Sequence, residues 1–376
     1  MRAIQQYSET RNVVQAARER ISFVFDHFET IINSTSGGKD SGVQTHLVLQ
    51  EAKRRNRKVG LFFLDEEAMY QSTIEMIDYW MSYAPENINR LWLQIPFRLT
   101  SATSFSDSQL YCWEPGKHKD WMRQKGRDNI CVKPWTEKDE KWQSGYQWLD
   151  FYGVIDNFER CYKGAAFLVG ERATESPNRW RSVAKNPVEI GGKRIYWGTK
   201  RGENVVLKPV YDWNFHDVGR YHYEHGLKSS RIYEFQFKKG YPIQEMRISS
   251  LIHERSFKSL CDLPEFEPKT YEKLLRRIKG VAFVRETGKN AKMFQVRKLP
   301  KNYKSWIAYR DFLLATYPIA EHKPIFEKRF SRQLVNEYVA RQQCRQLVTN
   351  DYENNLVIDN KPDPREETIR YYMEVL

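Results

Sequence analysis

The sequence predicts an α/β fold: an open, mainly parallel five-stranded sheet with helices on both faces, followed by a helical C-terminal region. Three observations predict it. Val59-Gly60-Leu61-Phe62-Phe63-Leu64 is a continuous apolar run ending at Asp65, the pattern of a strand buried on both faces. Stretches of strand and helix character alternate from Val13 to Ile95, an order that implies right-handed crossovers between parallel neighbours. A glycine pair, Gly37-Gly38, stands where a strand candidate gives way to a helix.

The elements follow in order. Val13 to Phe28 carries Val13, Val14, Ala17, Ile21, Val24 and Phe25 at helical spacing. Thr30 to Asn33 reads as a short strand that enters the glycine pair. Val43 to Lys53 reads as a helix closed by Lys53-Arg54-Arg55-Asn56-Arg57-Lys58, whose cations suit the negative end of a helix dipole. Tyr70 to Met81 is helical in pattern and Leu91 to Ile95 is a strand. Residues 99 to 164 break the rhythm with Trp, Tyr, Lys and Asp; they read as an insertion lying over the ligand edge of the sheet, with a helix from near Trp142 to Cys161. Ala165 to Gly170 restores the buried-strand pattern. Gly191-Gly192 is a turn in a β-rich stretch that runs to Pro209, and helices dominate from about Arg220. Phe326, Phe330, Leu334 and Tyr338 recur at helical spacing with Lys328, Arg329 and Arg332 between them, which predicts one amphipathic helix with a solvated basic face. Asp363 to Thr368 opens a final short helix.

Composition narrows the class. The chain has 376 residues, 40% of them hydrophobic, enough for a large core. No apolar run reaches about 18 residues, and Met1-Arg2-Ala3-Ile4-Gln5-Gln6 lacks the apolar stretch of a signal peptide, so a cytoplasmic protein without a membrane span is expected. Five scattered cysteines (Cys112, Cys131, Cys161, Cys261, Cys344) without a Cys-x-x-Cys pair read as reduced thiols rather than a disulfide framework or zinc site. The net charge of +13 admits either a polyanionic partner, nucleic acid included, or a solvated basic surface.

The chemistry concentrates in two segments. In Ser36-Gly37-Gly38-Lys39-Asp40-Ser41 the glycines let the backbone turn sharply and approach a ligand, while loop amides and the following helix N-terminus favour an anion. Ser36 and Ser41 add hydroxyl donors and Lys39 a charge. Asp40 would be repelled by phosphate unless it caps the helix or holds Mg²⁺. The Walker A spacing is absent. In Gly170-Glu171-Arg172-Ala173-Thr174-Glu175-Ser176-Pro177-Asn178-Arg179, Gly170 ends a strand on the edge where open α/β sheets bind ligands, and Arg172 and Arg179 are planar donor forks suited to phosphate or sulfate. Glu175 would orient an arginine or bind metal. Asp65, ending the second strand, would hydrogen-bond a ribose or position Mg²⁺; Leu64 would offer backbone to adenine; Glu66 and Glu67 read as solvated acids at a helix start.

The loop Ser36–Ser41 resembles the PP-loop of the ATP pyrophosphatase superfamily. Gly170 to Arg179 is similar to the G-x-R-x-x-E-S-x-x-R motif of its phosphoadenosine phosphosulfate (PAPS) reductase branch. Lys208-Pro209-Val210-Tyr211-Asp212-Trp213 with Asp217-Val218 is similar to that branch's P-[IL]-x-x-W-x-x-x-D-[VI] segment, Val210 being a mild departure. Asp120-Trp121-Met122-Arg123 and Met246-Arg247-Ile248-Ser249-Ser250 resemble segments of a subgroup typified by immunoglobulin-binding regulator A. The resemblance implies a nucleotide-binding domain at 1–225 with an insertion at about 99–164, and a mainly helical basic region at 226–376. It implies ATP or a related adenine nucleotide, PAPS included, with Mg²⁺. Ser36, Gly37, Gly38, Lys39, Ser41, Leu64, Asp65, Gly170, Arg172 and Arg179 would bind the nucleotide; Lys39, Asp40 and Arg172 would act in catalysis, with Asp40 on the metal.

Three functions follow from the resemblance. An ATP pyrophosphatase or adenylyltransferase would let an acceptor attack the α-phosphorus. A sulfonucleotide reductase or sulfur-transfer enzyme, with nucleic acid among its candidate acceptors, would need a cysteine in its thiol-dependent form. A nucleotide-gated regulator or defence protein would act with a ParB/sulfiredoxin-like partner, as the subgroup implies. The reductases' C-terminal Glu-Cys-Gly-[Leu/Ile]-His segment is absent, which puts thiol-dependent reduction in doubt. Cys344 sits in a helical segment where arginines would lower its pKa, although a lone helix cysteine is usually inert. His216, His222 and His225, near Asp212 and Asp217, read as surface or packing residues before a metal site. His253-Glu254 lies after the Met246 segment.

Overall fold

The computed structural model describes residues 11–104, 107–124, 149–184, 187–243, 246–248, 250–253, 256–287, 299–354 and 356–362. The opening Met1 segment, the start of the helix expected near Trp142, Cys131, Ser249, Glu254 and the helix expected from Asp363 lie outside the described residues.

Helix α1 (Val13–His27) starts at a capping box in which Asn12 and Gln15 bond each other's backbone. It buries Ala17, Ile21, Val24 and Phe25, the face its spacing predicts. Strand β1 (Ile31–Ser34), helix α2 (Lys39–Arg54), β2 (Val59–Leu64), α3 (Gln71–Met81) and β3 (Ile88–Leu93) follow as the alternation requires. Then come β4 (Phe97–Thr100), β5 (Gln109–Cys112), β6 (Ala166–Leu168), β7 (Val188–Ile190), β8 (Lys193–Ile195), β9 (Gly198–Arg201) and β10 (Asn204–Leu207).

The main sheet has the order β3-β2-β1-β6-β10-β9. Its first five members are mutually parallel, the five-stranded parallel sheet expected, and β9 adds an antiparallel sixth at one edge. Every residue of β2 is buried. The order matters for function. The chain leaves central β1 toward β2 and β3, then returns to β6 on the other side of β1. The turns after β1 and β6 therefore stand at the point of the sheet's carboxyl edge where the strand order reverses, the switch point at which such sheets bind ligands.

Helix α2 begins at Lys39, four residues before the expected Val43. Gly38 takes the N-cap position with no side-chain cap of its own, so Lys39, Asp40 and Ser41 form the first helical turn rather than a loop. Further along α2, His46 is 5% exposed, bonds the Tyr221 hydroxyl at 2.9 Å and packs on the rings of Tyr83 and His225. Burial, followed by the neighbouring His225, pushes its pKa down to about 4. A histidine depressed in the folded state favours folding above its unfolded pKa. As pH falls from about 6.5 toward 4, the unfolded chain takes the proton first and stability is lost, by up to about 3 kcal/mol. The urea midpoint is expected to fall between pH 7 and pH 4.5, and to fall less in His46→Gln.

The chain divides into two compact units: Met1–Leu99 with Tyr111–Ser250 and Thr368–Leu376, and Thr100–Leu110 with Leu251–Glu367. The helix Arg231–Lys238 thus groups with the sheet. The second unit is helical, with Phe257–Phe266, Pro268–Arg277, Val281–Thr287, Trp306–Ala315, Lys323–Phe330 and Glu337–Val348. The single helix expected through Phe326 and Tyr338 is two helices, the second capped by Asn336, which accepts from Val339 N. Phe326 and Phe330 are buried as predicted, but Leu334 lies in the break and is exposed. Arg329 is not part of a solvated face: its guanidinium bonds Gln346 Oε1 and the carbonyls of Asp351 and Tyr352, closing a turn. Among the described residues no helix is long and apolar enough to cross a membrane.

Candidate functional site

The switch point between β1 and β6 carries the two segments singled out in the sequence. After β1 the backbone passes through Gly37 at φ +73°, a left-handed conformation open to glycine. A Cβ there would also meet Thr73 O at 3.1 Å. The turn is braced from within: Ser36 N donates to Ser41 Oγ at 3.2 Å, the two hydroxyls bond at 3.0 Å, and Gly38 N donates to Ser36 Oγ at 3.4 Å. Ser41 Oγ donates to Gly38 O. From behind, His222 on the helix Phe215–Glu224 bonds Lys39 O at 2.8 Å. That helix is set by an Asn214/Asp217 capping box. Just upstream, Asp212 holds Arg20 through both carboxylate oxygens, and Trp213 is fully buried. The third sequence segment is thus a buttress for the turn.

The turn after β6 lies directly against this one. A Cβ on Gly170 would fall 2.9 Å from Ser41 Cα, 3.2 Å from Ser41 N and 3.4 Å from Asp40 O, so only glycine lets the two segments meet. Two residues on, Arg172 pairs through Nε with Asp40, lies 3.5 Å from Glu175 and bonds Thr174 Oγ1. Arg179 pairs with Glu175 and approaches Glu171 at 4.0 Å; Lys208, at the end of β10, pairs with Glu171 at 3.0 Å and with Ser182. Lys39 Nζ lies 3.4 Å from Asp40 and donates to Met246 O at 3.3 Å. Burial lowers the Lys39 pKa, with Arg172 adding to the fall and Asp40 opposing it. The structure therefore brings Ser36, Gly37, Gly38, Lys39, Asp40, Ser41, Gly170, Arg172 and Arg179 together at the two turns. Two hydroxyls beside the turn, Thr35 Oγ1 and Thr73 Oγ1, are buried without a hydrogen bond.

Three expectations change. Asp65 does reach the edge, but it is 0% exposed and its carboxylate is fully used. Oδ2 accepts from Trp92 Nε1 at 2.9 Å and Gln94 Nε2 at 3.0 Å, while Oδ1 accepts from Glu67 N and the Arg123 guanidinium. It is a strut, with no oxygen left for a ribose or Mg²⁺. Glu67 is not a solvated helix acid: it is 0% exposed, sits at φ +57° and accepts from Trp113 N at 2.6 Å and Met122 N at 3.3 Å. Burial pushes neighbouring Glu66 up to about 7, the Asp65 charge adding to the rise. Part of the insertion thus does lie over the β2 edge, through Trp113, Met122 and Arg123. Asp40, finally, is held by two cations, Arg172 and Lys39, which already neutralise it; in this arrangement it does not fit a Mg²⁺ ligand. No group of three or more His, Cys, Asp or Glu among the described residues could hold a metal ion. Leu64 is paired with Leu93 across the β2–β3 ladder, with its side chain buried.

Among the described residues, no thiol is placed in contact with the residues gathered here. Cys112, Cys261 and Cys344 are buried. Burial pushes Cys344 up to about 12, the opposite of the fall expected from its arginines, because desolvation outweighs the Arg310 charge. Cys161 is exposed at the end of the helix Phe151–Arg160. His225 packs on Tyr221 and His46, as a structural histidine does. Sequence reasoning missed Tyr233, whose hydroxyl accepts from Lys39 N at 3.1 Å and which lies far along the chain in a segment that carries no motif of its own; Lys208 stood in a recognised segment but was given no role there, and the structure pairs it with Glu171.

Comparison with known proteins now decides the family. Residues 30–243, more than half of the chain, match the model of the phosphoadenosine phosphosulfate reductase domain. The chain belongs to this family. Residues 240–342 match a domain of unknown function (DUF3440). The family member is also similar to the uncharacterized protein YbdN of Escherichia coli (strain K12), 27% identical over 320 residues that cover 83% of this chain and 77% of that protein. Among solved structures it resembles the phosphoadenylyl-sulfate (PAPS) reductase of Candida auris in a phosphate complex (TM-score 0.34, 15% identity, 58% of this chain and 84% of that one). It also resembles the FMN adenylyltransferase of Candida glabrata in complex with FAD and inorganic pyrophosphate (TM-score 0.31, 13% identity, 62% and 64%). Those two likenesses are too slight to carry an argument.

Proposed function

We propose that this PAPS reductase family member binds a sulfonucleotide of the PAPS type at the β1–β6 crevice and passes its sulfur group to an acceptor that is a second substrate. The observation that carries the reading is the meeting of two segments 130 residues apart: Gly170 seats its turn on Ser41, and Arg172 and Lys39 flank Asp40. A phosphosulfate arriving there would take Lys39 and Arg172 as charge partners. In transfer, an acceptor hydroxyl would attack sulfur, the bond from sulfur to the bridging phosphate oxygen would break, the acceptor proton would leave, and the nucleotide phosphate would depart. Lys39 and Arg172 would stabilise the charge growing on that phosphate. Cys112, Cys261 and Cys344 are buried, which disfavours these three as acceptors and makes an external acceptor the first to test. The net charge of +13 makes an anionic acceptor, nucleic acid included, the class to test.

A second reading is favoured by the Ser36–Ser41 turn itself: the same pocket would hold ATP, and an acceptor would attack the α-phosphorus with pyrophosphate leaving. Within either reading, Asp120–Arg123 and Met246–Ser250 resemble the immunoglobulin-binding regulator A subgroup, which makes a ParB/sulfiredoxin-like protein the partner to test first.

Calorimetric titration with PAPS, adenosine 3′,5′-bisphosphate, ATP and pyrophosphate separates these readings. Tighter binding of PAPS than ATP supports the first, and the reverse order supports the second. Lys39→Ala is expected to weaken the preferred nucleotide roughly 10- to 100-fold by removing a charged hydrogen-bond donor. Folded protein that binds none of the four defeats both.

A further inference from the structure

The N-terminal turn of α2 is already capped, and by a residue from the far end of the family domain. Gly38 offers no side-chain cap, so the amides of this turn need outside acceptors. The Tyr233 hydroxyl supplies one, accepting from Lys39 N at 3.1 Å. It also lies 3.5 Å from where a Cβ on Gly38 would stand. The Lys39 ammonium sits over the same ring, 5.3 Å from its centre.

Tyr233 is held there by the helix Arg231–Lys238, which buries Ile232 and Gln236 to 1% exposure. Gln236 forms a reciprocal pair with the backbone of Arg247: Nε2 donates to Arg247 O at 3.0 Å and Arg247 N donates to Oε1 at 3.1 Å. That pair fixes the segment whose Met246 carbonyl accepts Lys39 Nζ. One helix therefore occupies both donors of Lys39, the amide directly and the ammonium through Met246.

We propose that Tyr233 is a latch on the anion seat, and that it sets the affinity of the turn by competing for the Lys39 amide. The idea rests on the reading of the crevice as a nucleotide site. A phosphate or phosphosulfate oxygen that accepts from Lys39 N must take the place of the phenol oxygen, since one N–H has one good acceptor direction. Displacing the phenol costs the protein one hydrogen bond whatever the anion. The penalty is therefore the same for every ligand that uses this amide.

The test is calorimetry of pyrophosphate, PAPS and ATP against wild type, Tyr233→Phe and Tyr233→Leu, with thermal melting to establish that each is folded. Phe keeps the ring beneath Lys39 and removes only the competing oxygen. It is expected to tighten binding by roughly three- to tenfold, one net hydrogen bond, and by the same factor for each ligand bound. Leu, which also frees the ammonium from the ring, is expected to bind at least as tightly as Phe. A tyrosine with a merely structural role would weaken binding in both. Binding to wild type that is unchanged or weakened in Tyr233→Phe overturns the latch and leaves the site standing. Binding seen in Tyr233→Phe but not in wild type supports the latch in its strongest form. Failure of all three folded proteins to bind any of the three ligands overturns the site and the latch together.

Discussion

Gly170→Ala is expected to abolish nucleotide binding while leaving the sheet folded. The added methyl would stand 2.9 Å from Ser41 Cα and 3.2 Å from Ser41 N, both backbone atoms of the first turn of α2. No rotamer change can relieve a clash with backbone. Either the turn after β6 withdraws, taking Arg172 away from Asp40, or the N-terminus of α2 is pushed off the crevice. The stability cost of such overpacking is about 1–3 kcal/mol, which a domain with this core tolerates. The binding cost should exceed tenfold, because Lys39 and Arg172 no longer converge on one anion. Calorimetry beside a thermal melt checks this; a Gly170→Ala protein that binds as wild type does would remove Gly170 from the site's construction.

The largest stability effect is expected in the second unit, at Gly280. Its φ is +83°, and a Cβ there would lie 1.9 Å from Thr103 O and 2.6 Å from Thr103 C. Thr103 Oγ1 already donates to Lys279 O at 2.9 Å, and Thr103 bonds Ser101, so the strip around Thr103 is pinned. Gly280→Ala adds a left-handed conformation unfavourable to alanine to a backbone collision. Together these should destabilise the unit by about 3 kcal/mol or more. Limited proteolysis should then release fragments from the helices Phe257–Phe266 to Val281–Thr287 at temperatures where wild type resists. Equal resistance in the two proteins would contradict the close approach.

Much of the fold was legible because the signals were local. The apolar run Val59–Leu64 could only be a doubly buried strand, and the spacing in α1 named its own buried face. The glycine turn Ser36–Ser41 was legible for the same reason: six adjacent residues carry it. Other features were hidden because they depend on distant partners. Asp65 read as a ligand-facing carboxylate and Glu67 as a solvated acid, until Trp113, Met122 and Arg123, some fifty residues later in the sequence, supply the amides and the guanidinium that occupy them. The early start of α2 was obscured because Lys39-Asp40-Ser41 has no apolar period, and the cap that stabilises it is Tyr233. The break after Phe330 has no proline or glycine to announce it; Asn336, a good N-cap, was the one available sign. Arginines near Cys344 suggested a reactive thiol, but burial, which short sequence does not report, outweighs charge there.

The second unit is assembled from two stretches of chain, Thr100–Leu110 and Leu251–Glu367. It follows that the region matched at 240–342 is not an interchangeable module in the linear sense. A polypeptide beginning at Leu251 would leave Gly280 facing an empty notch where Thr103 belongs. The strip Thr100–Leu110 stands, in sequence, between the two main stretches of the other unit, so the two pieces of this one are not contiguous in the chain. Moving this unit to another protein would require transplanting both pieces at once.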